Sequence, residues 1–213
     1  MEFSSFLEIV GDEPVFETGL LLAGDVDPSD VRRQLSRWTK AGRLYRLRRG
    51  VYTLAPPYQK AKPHPFVVAN ALVRGSYVSL QAALAYYGMI PEYTPLVTSV
   101  TTGRPGRWKT PLGDFEFRHV KVEWLHGYER LEVSDEQWAF VAVPEKALLD
   151  LVYLQPDGDS PTYLAELRLQ ALDRLDLDRL ARLAEGSDRP KLRRAAQRAA
   201  ALARSEAAEY ETL

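Results

Sequence analysis

The sequence has no cysteine, only three histidines and no strong excess of either charge. The lack of cysteine excludes a disulfide framework, a thiol nucleophile and a thiolate metal site. No apolar run approaches the ~20 residues that a membrane-spanning helix needs, and Glu2 stands where a secretory signal would carry Lys or Arg. We therefore expect a cytoplasmic protein that has no membrane partner.

What the sequence does have is a globular composition with an uneven arrangement of charge. Its 213 residues are 46% apolar and 27% charged, which leaves room for two modest domains. The 28 basic and 29 acidic residues nearly cancel, but residues 1–30 contain acids and no base, whereas residues 31–54 contain bases and no acid. Such segregation is typical of a surface that faces phosphate groups.

The amino-terminal part of the chain shows the signals of three helices. Apolar residues at helical spacing predict a first helix closed by Gly11 and a second helix that runs from Thr18 to Gly24. A third helix is predicted to start at Asp27, an N-cap carboxylate followed directly by proline. Gly42 stands where a glycine commonly ends a helix, and we expect the third helix to end there.

The third helix is predicted to have two faces. At about 100° per residue, Val31, Leu35 and Trp38 share a narrow apolar arc. The basic residues lie on the opposite side of the helix. One face is therefore suited to packing on the first two helices, and the other to contact with an anionic partner.

The alternation of side chains over residues 44–54 predicts two short strands with Arg49-Gly50 at the turn between them, which is a β-hairpin. Tyr45 and Leu47 are expected to face the domain, whereas Arg46 and Arg48 are expected to face solvent. A basic helix followed directly by a basic hairpin is typical of a winged helix-turn-helix.

We therefore predict a winged helix-turn-helix DNA-binding domain over residues 1–56. The third helix would enter the major groove, and the hairpin would reach the neighbouring backbone or minor groove. The alternative is a basic surface that is merely solvated. The residues predicted to contact double-stranded operator DNA are Arg32, Arg33, Ser36, Arg37, Lys40, Arg46, Arg48 and Arg49.

Residues 57–65 are rich in proline and predict a linker. The remainder, residues 66–213, is predicted to be a mixed α/β domain that ends in helices, which gives the whole chain an α+β fold. The elements expected there are helices at 66–72, at 79–88 with Ser79 as N-cap, and from Pro144 onward, strands at 97–102, 115–120 and 138–143, and tail helices over 161–208 with breaks near 175 and 186.

Three segments carry a further signal. They are RGVY at 49–52, YVSLQAALAYYGMIPE at 77–92 and AVPEKALLDL at 142–151. Together and in this order they resemble the AbiEi family of type IV antitoxins, and the resemblance runs across nearly the whole chain.

The resemblance implies an amino-terminal winged helix that represses its own operon and a carboxy-terminal domain that counters a nucleotidyltransferase-like toxin. It also implies that neutralisation needs no stable complex. The toxin's own signature, Gly-Ser followed by an Asp-x-Asp pair, is absent, because no such pair follows Gly75-Ser76. The alternatives are a stand-alone winged-helix regulator without a toxin, an interaction module that binds the toxin directly, and a DNA-directed enzyme with a catalytic carboxy-terminal domain.

Signals of catalysis are weak. Glu145, Lys146 and Asp150 suggest a metal-dependent nuclease, but Lys146 follows Glu145 directly, so the Glu-x-Lys spacing fails. Lys146 and Asp150 lie one helical turn apart and can simply pair, so a role for Lys146 in antitoxicity or in holding the helix start is favoured. No acid pair completes a metal site with the histidines, and there is no phosphate-binding loop. We expect no enzymatic activity, metal or cofactor.

Residues 102–109 are basic and carry Trp108, and we expect them to be flexible. They suit contact with the DNA backbone or with the toxin's nucleic-acid substrate, and equally a solvated loop. The last helix also carries several bases, for which a plain solvated helix is favoured. The candidate functional surface of the second domain consists of Arg104, Arg107, Lys109 and Lys146.

Overall fold

The fold is seen in a computed structural model that describes residues 1–23, 26–91 and 95–210. It contains helices and two β-sheets, which confirms the predicted α+β class. The α-helices are α1 (Phe3–Val10), α2 (Pro28–Lys40), α3 (Pro65–Leu72), α4 (Leu80–Tyr86), α5 (Pro144–Leu154), α6 (Pro161–Glu166), α7 (Leu177–Glu185) and α8 (Pro190–Tyr210). The strands are β1 (Phe16–Glu17), β2 (Leu44–Arg48), β3 (Val51–Leu54), β4 (Ser76–Val78), β5 (Leu96–Thr101), β6 (Gly106–Thr110), β7 (Gly113–His119), β8 (Tyr128–Ser134) and β9 (Gln137–Ala142). Short 3₁₀ helices lie at Thr18–Leu22, Val122–Trp124 and Leu172–Arg174.

Helix α2 begins and ends where the sequence predicts. The Asp27 carboxylate accepts a hydrogen bond from the Ser29 amide at 2.8 Å, which satisfies an amide that the helix leaves free. At the other end, Gly42 has a φ of +70°, and the Arg43 amide donates to the Trp38 carbonyl at 2.9 Å. This left-handed turn favours glycine, and it explains why the helix stops there.

The predicted second helix is a 3₁₀ helix, Thr18–Leu22, and not an α-helix. Its predicted end at Gly24 lies outside the described residues. Thr18 does not cap it, because Thr18 is the first residue of this helix and both its amide and its hydroxyl donate to the Gly50 carbonyl of the hairpin, at 2.9 and 3.4 Å. The start of this 3₁₀ helix is therefore hydrogen-bonded to the β-hairpin.

The predicted hairpin is present as β2 and β3, and β1 adds a third antiparallel strand in the order β1-β3-β2. A bulge between Arg46 and Arg48 breaks the alternation of the first hairpin strand. Leu44 and Leu47 are buried, whereas Tyr45, predicted to face the domain, is only half-buried. Arg48, predicted to face solvent, is half-buried as well.

The second sheet has six strands in the order β6-β7-β5-β4-β9-β8. Strand β5 is parallel to β7 and β4 is parallel to β9, while the other neighbouring pairs are antiparallel. The strands predicted near 97–102, 115–120 and 138–143 are confirmed as β5, β7 and β9. Strand β4, which is very short, and the two edge strands, β6 and β8, were not predicted from the sequence.

The helices of the second domain start close to their predicted positions, with prolines in the first turns of α3 and α5. Ser79 stands directly before α4, but its hydroxyl donates to Asp150 at 2.7 Å and makes no capping bond to the helix. Its predicted capping role is therefore wrong. The tail consists of α6, α7 and α8, with the breaks near residues 175 and 186 confirmed. Over the described parts of the chain, no helix combines the length and the apolar character needed to cross a bilayer.

Two hydrophobic cores meet at the hairpin. The smaller core lies between α1, α2 and the three-stranded sheet, and the larger core lies between the six-stranded sheet and its helices. Leu47 and Val51, which belong to the hairpin strands, are buried in the larger core. The linker is also anchored, because the Gln137 side chain accepts from the His64 amide at 2.8 Å and donates to the Lys62 carbonyl at 3.0 Å.

Candidate nucleic-acid interface

The outer face of α2 is basic along its length. Arg32, Arg33, Arg37 and Lys40 are exposed, and Ser36 is exposed between them. They lie outward because Val31, Leu35 and Trp38 fill the opposite face and are buried in the smaller core, as predicted. An exposed cationic helix face of this kind can approach the major groove of a duplex.

Among the described residues, these cations have few carboxylate partners. Arg33 has one, because its guanidinium pairs with Asp30 one turn earlier in the helix. Both side chains are exposed, and such surface pairs contribute at most about 1 kcal/mol, so a phosphate group can replace the carboxylate. Asp12 and Glu17, two other acids of this segment, pair with bases that lie outside α2.

The hairpin extends the basic surface only in part. Arg46 and Arg49 are exposed, as predicted for contacts to DNA. Arg48 is half-buried, and its Nε is enclosed without a hydrogen-bond partner among the described residues. Arg43, which was not assigned to DNA, stacks on the Phe3 ring at 4.7 Å. The bulge beside Arg48 accounts for the difference, because it changes the side of the strand on which the residue lies.

The basic segment at residues 102–109 is not a loop throughout, because its second half, residues 106–109, belongs to the edge strand β6. Trp108 packs edge-on against Phe117 with ring centroids 4.9 Å apart, and Arg107 pairs with Glu116 at 3.1 Å. Arg104, Arg107 and Lys109 are exposed. Arg107 and Lys109 lie on this edge strand of the six-stranded sheet, and Arg104 lies just before it.

Lys146, the fourth member of the predicted functional surface, does not join them, because its side chain is fully buried. Its ammonium group contacts the Asp150 carboxylate, donates to the Tyr77 hydroxyl at 2.7 Å and lies 4.2 Å from the centre of the Trp124 ring. Gly127 lies against its stem so closely that a Cβ there would come within 3.1 Å of the stem. The four predicted residues therefore do not form one surface.

Asp150 is the centre of this buried cluster. Besides Lys146, it accepts hydrogen bonds from Tyr77 at 3.0 Å, from Ser79 at 2.7 Å and from Trp124 at 2.7 Å. Both carboxylate oxygens therefore have protein donors. Burial lowers the pKa of the Lys146 ammonium, and the charge of Asp150 opposes this shift.

Glu145 is buried too, and it connects two helices. Its Oε1 accepts a hydrogen bond from the Asp176 amide, just before α7, at 2.7 Å, and its Oε2 lies 3.8 Å from the Arg179 guanidinium. Burial raises the pKa of Glu145, while the bond from the Asp176 amide acts in the opposite direction. This structural role is not visible in the sequence, because the partner lies 31 residues away.

The three histidines lie apart in the structure. His64 Nδ1 accepts from the Phe66 amide and caps α3, His119 Nδ1 lies 3.0 Å from the Gly103 carbonyl, and His126 lies beside the Trp124 ring. No group of three or more metal-ligating side chains is found among the described residues.

The bases of α8 mostly hold the tail to the rest of the domain. Arg194 pairs with Asp159 at 2.7 Å, and Arg198 contacts the carbonyl of the same residue. Lys191 donates to the Tyr153 carbonyl at 3.0 Å. These contacts give the helix a structural role and make it a weak candidate for binding DNA.

Comparisons with known proteins do not identify a family for this chain. No protein-family model matches the chain, and no curated protein matches it. Among solved structures, the chain is similar to a crystal structure of the Rv2827c protein from Mycobacterium tuberculosis, with a TM-score of 0.49 and 18% sequence identity, over 91% of this chain and 73% of that chain. Similarity at this level carries no statement about function.

Proposed function

We propose that this protein is an operator-binding autorepressor that also acts as the antitoxin of a type IV toxin–antitoxin system. The observation that carries the proposal is the row of exposed cations on α2, which continues onto the hairpin at Arg46 and Arg49. The order of elements, three helical segments followed by a hairpin in a β1-β3-β2 sheet, supports a winged helix-turn-helix. Binding to operator DNA would place the protein in the cytoplasm.

In the proposed complex, α2 enters the major groove and the hairpin contacts the adjacent backbone. Arg37 is the best candidate for a base contact, because a guanidinium can donate two hydrogen bonds to guanine and this one has no carboxylate partner among the described residues. Arg33 would have to break its ion pair with Asp30 before it could contact a base. Arg49, at the hairpin tip, suits a phosphate contact, whereas the half-buried Arg48 suits it less than the sequence predicts.

The antitoxin part of the proposal rests on the family resemblance. Two of the three resembling segments form β4 with α4 and the first part of α5. Tyr77 and Ser79 come from the first of them, and Lys146 and Asp150 come from the second, and all four meet in the buried cluster. This supports a role for those segments in building the second domain. The proposed partner is a nucleotidyltransferase-like toxin, countered without a stable complex.

The test of DNA binding is fluorescence anisotropy with a labelled fragment of the chain's own promoter. Arg37→Ala is expected to weaken binding by about 1–3 kcal/mol, the cost of one lost base contact. Arg49→Ala is expected to weaken binding to every sequence alike and to reduce the salt slope by about one. Arg182→Ala, an exposed arginine at the end of α7, is the control. Unchanged binding in both test variants would remove the assignment.

The antitoxin role is tested by expressing the protein of the adjacent gene with and without this chain. Growth arrest by the neighbour and its relief by this chain would support the proposal. If the protein of the adjacent gene does not arrest growth, the antitoxin role is excluded and the stand-alone regulator is the interpretation that remains. Purification of a stable complex would instead favour an interaction module that binds the toxin directly.

A further inference from the structure

A pocket of about 340 Å³ lies on one face of the six-stranded sheet, between the start of α4 and the end of α5. Two neighbouring strands form its floor. Thr98 of β5 is paired with Glu116 of β7, and Leu96 and Arg118 each lie two positions away along the same strands. Because alternate residues of a strand point to the same face of a sheet, these four side chains share one face. The volume lies in the range of pockets that bind small molecules.

The walls of this pocket are apolar. Leu80 and Leu151 are buried, and Leu154 is half-buried. They come from α4 and α5, which pack on each other and cover the floor from one side. Side chains of this kind bind the hydrocarbon part of a ligand, because apolar surface is removed from water on contact.

One wall is held in a conformation that leucine rarely adopts. Leu80 has a φ of +61° although it is almost fully buried. Thr98 fixes this turn from the floor, because its hydroxyl donates to the Ser79 carbonyl at 2.7 Å and accepts from the Ala82 amide at 3.2 Å. Strained residues persist only where their surroundings hold them, and they cluster at functional sites. Wall and floor are therefore fixed to each other before any ligand binds.

The charged groups at the pocket do not cancel. Glu116 lies between two arginines, 3.1 Å from the Arg107 guanidinium and 3.9 Å from that of Arg118. Arg107 donates a hydrogen bond to it and is its closer partner. The Arg118 side chain is 45% exposed, and its guanidinium makes no hydrogen bond within the described parts of the chain. One positive charge with free donors is therefore left over at the pocket.

Two side-chain amides add hydrogen-bonding groups to the lining. Gln81 belongs to the first turn of α4, and Gln155 follows α5 directly. Neither amide side chain is hydrogen-bonded to any other residue that the structure describes. Guanidinium and amide groups are the donors that a carboxylate accepts from, and arginine binds a carboxylate with two parallel hydrogen bonds.

From this combination we propose that the pocket binds a small organic acid. The carboxylate of the ligand pairs with Arg118, and its apolar part lies between Leu80, Leu151 and Leu154. The residues that line the pocket lie beyond residue 79, and the proposal does not depend on the function proposed above.

The balance of charge favours a monoanion over two other classes of ligand. A phosphate monoester brings up to two negative charges, which the single free guanidinium does not neutralise. A cation would have to take Glu116 from Arg107, and it would lie next to the guanidinium of Arg118. A carboxylate needs neither a second cation nor a broken ion pair.

The test is nuclear magnetic resonance of the isotope-labelled full chain. It is titrated with phenylacetate, indoleacetate and hexanoate, which are acids of different shape, and with their neutral amides. At least one acid is expected to shift the backbone signals of β5, β7 and the end of α5 in a saturable way. Its neutral amide is expected to bind about tenfold more weakly, because it loses the hydrogen bonds between opposite charges.

Variants connect the binding to the pocket. Arg118→Gln is expected to weaken binding of the acid about tenfold and to leave binding of the neutral amide unchanged. Arg118→Lys keeps the charge and should recover part of the affinity. Leu96→Trp fills the pocket and should abolish the shifts. Arg182→Gln, at an exposed position on α7, is the control and should bind as the wild type does. Circular dichroism shows that each variant is folded.

The absence of a saturable shift with all of these acids overturns the proposal. So does binding of the acid that is equally tight in the wild type and in folded Arg118→Gln. Tighter binding of phenethylamine than of phenylacetate would assign the pocket to a cation held by Glu116. Tighter binding of phenyl phosphate would assign it to phosphate esters, and either result would replace the proposed ligand class.

Discussion

Lys146 and Asp150 show what sequence spacing can and cannot establish about a pair of residues. Their separation by four positions in a helix predicts that they pair, and they do. The same spacing on a solvated helix is worth a few tenths of a kcal/mol. Here both side chains are fully buried, because α5 is covered on all sides by other elements, and helical periodicity alone does not reveal that.

The burial leads to a prediction about stability. Lys146→Met leaves the Asp150 carboxylate buried without its counter-charge, and we expect a loss of about 3–5 kcal/mol in the free energy of unfolding. The measurement is urea denaturation followed by circular dichroism.

Two further variants separate the charge effect from simple loss of packing. Lys146→Met combined with Asp150→Asn removes both charges and should be clearly more stable than Lys146→Met alone. Lys121→Met, at an exposed position, should unfold as the wild type does. Equal losses in the single and double variants would contradict the electrostatic explanation.

At the scale of elements, the helices and strands whose start and end depend on neighbouring residues were predicted well. The bounds of α2 follow from Asp27 and Gly42, which act on the backbone next to them. Elements that depend on residues far away in the sequence were not predicted correctly. The 3₁₀ helix at Thr18–Leu22 starts at a residue that is hydrogen-bonded to the hairpin, 32 residues away. Strand β8 has so many charged residues that its sequence resembles a loop until β9 is placed beside it.

The local signal at the start of α2 can be tested directly. Asp27→Ala removes the acceptor of the Ser29 amide and is expected to lower the free energy of unfolding by about 1 kcal/mol. Asp27→Asn retains a side-chain oxygen in the same place and should stay close to the wild type. Urea denaturation compares the two. A loss of the same size in both variants would show that the charge of Asp27, rather than its hydrogen bond, stabilises the helix.

For the whole molecule, the sequence predicts a domain boundary after residue 56. The two hydrophobic cores do not separate at that residue. The chain does divide into two hydrophobic cores. However, Leu47 and Val51 lie before the boundary and are buried in the larger core. No periodicity in residues 44–54 indicates this, because an inward-facing leucine is the same signal whichever core receives it. The hairpin that carries Arg46 and Arg49 is thus held in place by both halves of the molecule.

A final prediction follows from this shared hairpin. Leu47→Ala removes a buried side chain from the larger core and is expected to cost about 2–5 kcal/mol. Because the residue belongs to β2, amide hydrogen exchange should become faster both in the hairpin and in the elements of the larger core, such as β9 and α5. Leu35→Ala, in α2 and buried only in the smaller core, is the matched control and should speed exchange mainly within residues 1–54. If Leu47→Ala also acted only within residues 1–54, the two cores would be energetically independent, and the hairpin would owe its position to the smaller core alone.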